Sequence, residues 1–73
     1  MSRSAANLKI GESGIVSDFL EEGTAAKLIE MGLLPGSRLR LIRTAPLGSP
    51  LYIKLDNSSV ALRKDEAAHI LLT

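Results

Sequence analysis

Glu66 and His69 stand in the segment KDEAAHILLT at the end of the chain. On a helix this Glu-x-x-His spacing lays a carboxylate and an imidazole on one face. Di-iron helical bundles hold their metal with two such motifs and two further glutamates, each from its own helix. The pair alone does not make that site. The chain has 1 histidine and 0 cysteines, too few nitrogen and sulfur donors to close a transition-metal centre within one molecule. We therefore expect no metal site and no cofactor here. The plainer reading is a polar link in which Asp65 or Glu66 caps a single helical or 3-10 turn and His69 opens a strand.

Arg38, Arg40 and Arg43, with Arg63 and Lys64, are the second set of chemically active groups. Alternation in SRLRLIR makes Arg38 and Arg40 the solvated face of a strand, as long cationic side chains often are. The functional alternative is a shallow basic face for an acidic partner surface or RNA. Phe19 and Tyr52 are the only aromatics, so rings on which bases could stack are missing. The net charge of +1 is also far from the basic excess of a phosphate-neutralising protein, and nucleic acid is not the expected partner. The segment APLGSP, Ala45 to Pro50, reads either as a stiff hairpin connector or, with Leu47 at its tip, as a docking site. Met31, Leu33 and Leu34 read as core packing after a helix end, or as one wall of a partner groove. No Ser/His/Asp set, thiol, phosphate loop or carboxylate cluster is present, so no catalysis is expected.

The elements that must position these groups follow from pattern. The chain has 73 residues with 45% apolar content, enough for one small domain with an aliphatic core and no disulfides. Residues 1–6 are small and polar and read as a flexible tail; residues 7–73 form the domain. Leu8 and Ile10 alternate with Lys9, GESG marks a turn, and IVSDFL is a first strand. From Thr24 to Met31 the period changes: Ala25, Leu28 and Ile29 make the stripe of a short helix. Thr24 reads as its N-cap and Gly32 as the left-handed residue that ends it, with Leu33 packing back on Leu28. Pro35 and Gly36 then suit a type II turn. Leu39 and Leu41 face inward on the next strand, as do Leu51, Ile53 and Leu55 on the following one. Asn57 offers positive φ for the tight turn of DNSS, VAL returns as a fourth strand, and Ile70 and Leu72 complete the inner face. About five short antiparallel strands with one early helix make a closed or nearly closed small barrel. The N-terminus lacks a signal-like apolar stretch and no run approaches a membrane span, so a cytoplasmic protein is expected.

Three motifs in order carry a family resemblance: Leu-x-x-Met-Gly-Leu-x-Pro-Gly at Leu28 to Gly36, Ala-Pro-Leu-Gly-x-Pro at Ala45 to Pro50, and Leu-Arg-x-x-Glu-Ala-x-x-Ile at Leu62 to Ile70. With GESGIV at Gly11 to Val16, the chain from about Leu8 onward resembles the FeoA family of bacterial ferrous iron uptake. It departs at Asp56-Asn57-Ser58-Ser59, where many members have a glycine in the turn. The resemblance implies an SH3-like barrel that is accessory to the membrane iron transporter FeoB, whose cytoplasmic part carries a GTPase domain. On that implication the protein docks on FeoB and modulates its assembly or GTPase-linked gating, without inserting in the membrane. The contact residues expected are Met31, Leu33, Ala45, Pro46, Leu47, Gly48 and Pro50. Two rivals stand beside this: a nucleic-acid-binding barrel using Arg38, Arg40 and Arg43, and a direct Fe2+ chaperone using His69. The same domain type also ends DtxR-like repressors, after a helix-turn-helix for which this chain has no room. Oligomeric state is not legible from these residues.

Overall fold

The computed structural model describes residues 3–73. In chain order these form β1 (Arg3–Ser4), a 3-10 turn (Ala5–Asn7), β2 (Ser13–Phe19), α1 (Glu22–Glu30), β3 (Arg38–Thr44), β4 (Leu51–Lys54), β5 (Ser59–Leu62), α2 (Lys64–Ala68) and β6 (Ile70–Leu72). The strands lie in the order β1-β6-β2-β3-β4-β5, and neighbours are antiparallel throughout.

β2 is the strand shared by the two halves of the sheet. Its first residues, Ser13 to Ile15, pair with β3, while Val16 to Phe19 pair with β6 across a register shift between Val16 and Asp18. A second shift lies in β3 between Leu41 and Arg43. Such bulges bend a strand and increase its twist, which lets a short sheet wrap round its own inner face. That face is aliphatic: Val16, Leu28, Leu33, Leu39, Leu41, Ile53, Leu62 and Ile70 are all fully buried, and Leu51, Leu55 and Leu72 nearly so. Gly14 of β2 is buried and packs closely on β6: a Cβ there would meet Leu72 Cδ1 at 2.7 Å.

α1 ends as its sequence requires. Gly32 has φ +96°, Leu33 N–H donates to Leu28 O at 2.9 Å and Gly32 N–H to Ile29 O at 3.0 Å. This is the bonding of a Schellman ending, with Leu33 and Leu28 both at 0% exposure in one core. Ser37 N–H then donates to Leu34 O at 2.8 Å across Pro35 and Gly36, closing the expected turn.

Several expectations are corrected. The tail read over residues 1–6 is docked from Arg3 onward: Arg3 and Ser4 pair with Leu72 and Leu71, and Ala5 is fully buried. Backbone pairing, the small Ala5 side chain and the Arg3–Glu12 ion pair do this, so no apolar pattern announces it. Met1 and Ser2 lie outside the described residues. α1 begins at Glu22, and Glu21 holds the cap position; Thr24 Oγ1 donates to Glu21 Oε1 at 3.1 Å and caps nothing. Leu8 is buried but Ile10 is 65% exposed, because the chain turns between them and the β2 strand. Asn57 does not take positive φ, and no non-glycine residue does among those described. The turn closes instead by Leu55 N–H donating to Ser58 O at 2.8 Å. His69 is the C-cap of α2, not the start of the strand. Among the described residues no helix is long and apolar enough to cross a membrane.

Candidate partner-binding site

Glu66 occupies the third position of α2, and its side chain reaches back. Oε1 accepts the Arg63 N–H at 3.0 Å, and Oε2 is paired with the Lys27 ammonium of α1. That ammonium, and then the Arg63 amide, hold the Glu66 carboxyl below its ordinary value of 4.5. Both oxygens are thus engaged by donors of the protein. His69 sits one residue past the helix, with its N–H on Glu66 O at 3.1 Å and its carbonyl accepting from Leu20 N–H at 2.9 Å. Among the described residues no group of three or more His, Cys, Asp or Glu side chains is placed to hold a metal ion. Glu66 brackets α2 to α1, a role that depends on Lys27, 39 positions away, and that no local motif announces.

The β3–β4 hairpin carries the loop Ala45 to Pro50. Ala45 N–H donates to Pro50 O at 3.0 Å and Gly48 N–H to Ala45 O at 2.8 Å, so the loop is closed on itself. The Ser49–Pro50 peptide bond is cis. Ser49 Oγ also accepts the Lys64 N–H at 3.3 Å, which braces the hairpin base against the start of α2. Pro46 is exposed, Ala45, Gly48 and Pro50 are half-buried, and Leu47 at the tip is 97% exposed. A side chain so fully in water buries almost no apolar surface in its own fold.

The rest of the expected contact set does not join this loop. Leu33 is fully buried and is withdrawn as a contact residue, because the Schellman ending spends its side chain on the core. Met31 is half-buried against that core and lies at the far end of β3. Its neighbour Gly32 faces Leu55, at the end of β4 opposite Leu51, the residue where the hairpin loop joins. A seven-residue strand at about 3.3 Å per residue separates the two ends by roughly 20 Å.

On the outer face of β3 and β4 the cations do gather. Arg38, Arg40 and Lys54 line one open groove with Ser13, Leu55 and Asp56. Arg43 leaves this group to stack its guanidinium 4.5 Å from the Tyr52 ring centroid. Beyond Tyr52 a shallow apolar concavity of about 310 Å3 is lined by Ile42, Tyr52, Ile53, Val60 and Ala61. Both features depend on cross-strand register, and the one signal for them in the sequence was the alternation of arginines in β3.

Comparison with known proteins agrees with this architecture. The FeoA domain family matches residues 4–73. Over 64 residues the chain is 30% identical to a fusion of Fe(2+) transport protein A with the Fe(2+) transporter FeoB from Porphyromonas gingivalis, covering 86% of this chain and 8% of that protein. The chain therefore spans a small fraction of that relative. Among solved structures it is similar to a FeoA-like protein from Clostridium acetobutylicum, at 27% identity and a TM-score of 0.91 over 99% of this chain and 85% of the other. A FeoA from Stenotrophomonas maltophilia complexed with zinc, described as a prokaryotic SH3 domain protein, shares the fold at 24% identity and a TM-score of 0.82, covering 100% and 89% of the two chains. With the family match spanning nearly every described residue of an SH3-like sheet, the chain belongs to the FeoA family, which is associated with ferrous iron transport.

Proposed function

We propose that this protein is an accessory of ferrous iron uptake that works in the cytoplasm by docking on the FeoB transporter and modulating its assembly or its GTPase-linked gating. The observation that carries the reading is the Porphyromonas gingivalis relative, in which the segment similar to this chain and the transporter FeoB belong to one polypeptide. Covalent linkage keeps two modules at high effective concentration, which serves a pair that works in contact. The chain's own surface supports a docking role: a hairpin loop tied by its own backbone bonds presents Leu47 with 97% exposure. A preformed loop loses little conformational freedom on binding.

The proposed contact is Ala45 to Pro50, with Leu47 as the anchor. Met31 belongs to a separate surface about 20 Å away along β3 and is not required in the same interface. The test is co-purification with membranes carrying the transporter, native chain against Leu47→Asp. The native chain should be retained and the variant lost while its circular dichroism is unchanged. Equal recovery of both would remove the loop from the interface, and recovery of neither would remove the docking reading.

A further inference from the structure

The groove on the outer face of β3 and β4 holds cations that form no ion pair among the described residues. Arg38 and Arg40 stand two residues apart on one strand, so their Cα atoms are about 6.8 Å apart on the same face. Arg40 is directly opposite Lys54 in the β3–β4 register. Like charges directly opposite on neighbouring strands repel, and among the described residues no ion pair engages them. The ion pairs among the described residues are Arg3 with Glu12 and Lys27 with Glu66, neither of which involves the groove. Arg40 donates through Nε to Gly11 O at 3.1 Å, which fixes the side chain and leaves both Nη groups for a planar acceptor such as a carboxylate.

The groove is open, of about 230 Å3, and Asp56 is the one acidic residue in its lining. Three cations against that carboxylate give it a local charge of about +2, as counted from its lining residues. The whole chain carries only +1, so the positive charge is concentrated here. A second concavity shares Arg38, Leu55 and Asp56 and extends the trough past Ser37, Asn57 and Ser58. Those hydroxyl and amide groups can hydrogen-bond a peptide backbone.

We infer that this trough is a docking site for an acidic polypeptide segment in extended conformation, with carboxylates on alternate residues meeting Arg38, Arg40 and Lys54. An extended chain repeats its side chains at the same ~6.8 Å as the β3 arginines. Nucleic acid fits less well, since sequence-tolerant strand binding uses exposed aromatic rings. Tyr52 is covered by Arg43 and Phe19 is packed against the core. The trough lies at the end of the hairpin away from Leu47, and the inference does not rest on the transporter reading.

The experiment is amide chemical-shift titration of the purified chain at low salt. The probe is a capped six-residue peptide alternating Glu and Gly; the comparisons are the same peptide with Lys for Glu, a hexauridylate and inorganic phosphate. The Glu peptide should move the amides of Ser13, Arg38 to Arg40 and Lys54 to Asp56, with affinity falling as salt is added. Arg38→Gln with Lys54→Gln should weaken it by about tenfold without lowering the melting temperature; Arg38→Gln alone serves if the double variant unfolds. Absence of these shifts, equal binding of the Lys peptide, or undiminished affinity in the variants would overturn the inference. Tighter binding of the hexauridylate would replace it with a nucleic-acid site, and phosphate binding as tight as the peptide would reduce it to a simple anion site.

Discussion

Replacing Glu66 by alanine removes two acceptors at once, and the loss can be sized from the surroundings of each. The Arg63 N–H, an otherwise free donor at the start of α2, loses its 3.0 Å partner; a lost helix-start acceptor of this kind costs about 1 kcal/mol. The Lys27 pair is worth less. Its ammonium side is 60% exposed while the Glu66 side chain is 15% exposed, so solvent screening holds it to about 0.5 kcal/mol. The sum is about 1.5 kcal/mol, and for a domain of this length each kcal/mol moves the melting temperature by roughly 4–8 °C. Glu66→Ala should therefore melt about 6–12 °C lower by circular dichroism near neutral pH. Glu66→Gln keeps an oxygen for the amide and loses only the charge, and should fall by about 2–4 °C. The pH dependence has a definite sign. The folded-state carboxyl lies below 4.5, so its contribution is present above the unfolded value and is lost as pH falls through the folded one. The gap between native and Ala variant should narrow on acidification below about pH 4.5. An unchanged melting temperature would refute the bracket. A rise on adding Fe2+ that vanishes in both Glu66→Ala and His69→Ala would instead make the pair a metal site.

Leu33→Ala should lose about 2–5 kcal/mol of a total that for this length is roughly 4–11 kcal/mol, seen as a lower urea midpoint with unchanged slope. A loss under about 1 kcal/mol would mean the side chain is not core. Gly14→Ala puts a methyl 2.7 Å from Leu72 Cδ1 and should cost about 1–3 kcal/mol by overpacking; a neutral result would show that Leu72 repacks freely. Glu12 accepts the Lys9 N–H at 2.9 Å and pairs with Arg3 of β1, which together hold its carboxyl below 4.5. Hydrogen-exchange protection of the β1–β6 pairing should fall as pH drops through that lowered value, and Glu12→Gln should show the reduced protection already near neutral pH.

Much of the barrel was legible because local chemistry and tertiary demand coincide. Gly32 and Gly36 sit where the backbone needs positive φ, and both turns were readable from their types. Leu39 with Leu41, Leu51 with Ile53, and Ile70 with Leu72 point inward at period two, and each pair is buried. The unreadable parts depend on partners distant in sequence. β1 is held by backbone bonds to β6 and by the Arg3–Glu12 ion pair, neither of which leaves an apolar pattern. α1 starts two residues before Thr24 because Glu21 already has the extended backbone of a cap, φ −139° and ψ 132°. Lys54 joins Arg40 only through strand register. Leu33 illustrates the limit for contact residues. The same apolar residue after a helix-stop glycine suits a core and a docking wall, and only burial separates them.

The proposed docking on FeoB puts the contact at the hairpin tip. The most direct measurement is equilibrium binding of the purified chain to the transporter in lipid nanodiscs, with Leu47→Asp alongside at matched melting temperature. Saturable binding by the native chain, weakened at least about tenfold in Leu47→Asp, is the expected result. Saturable binding that Leu47→Asp leaves unchanged, or no binding by the native chain, would contradict the claim.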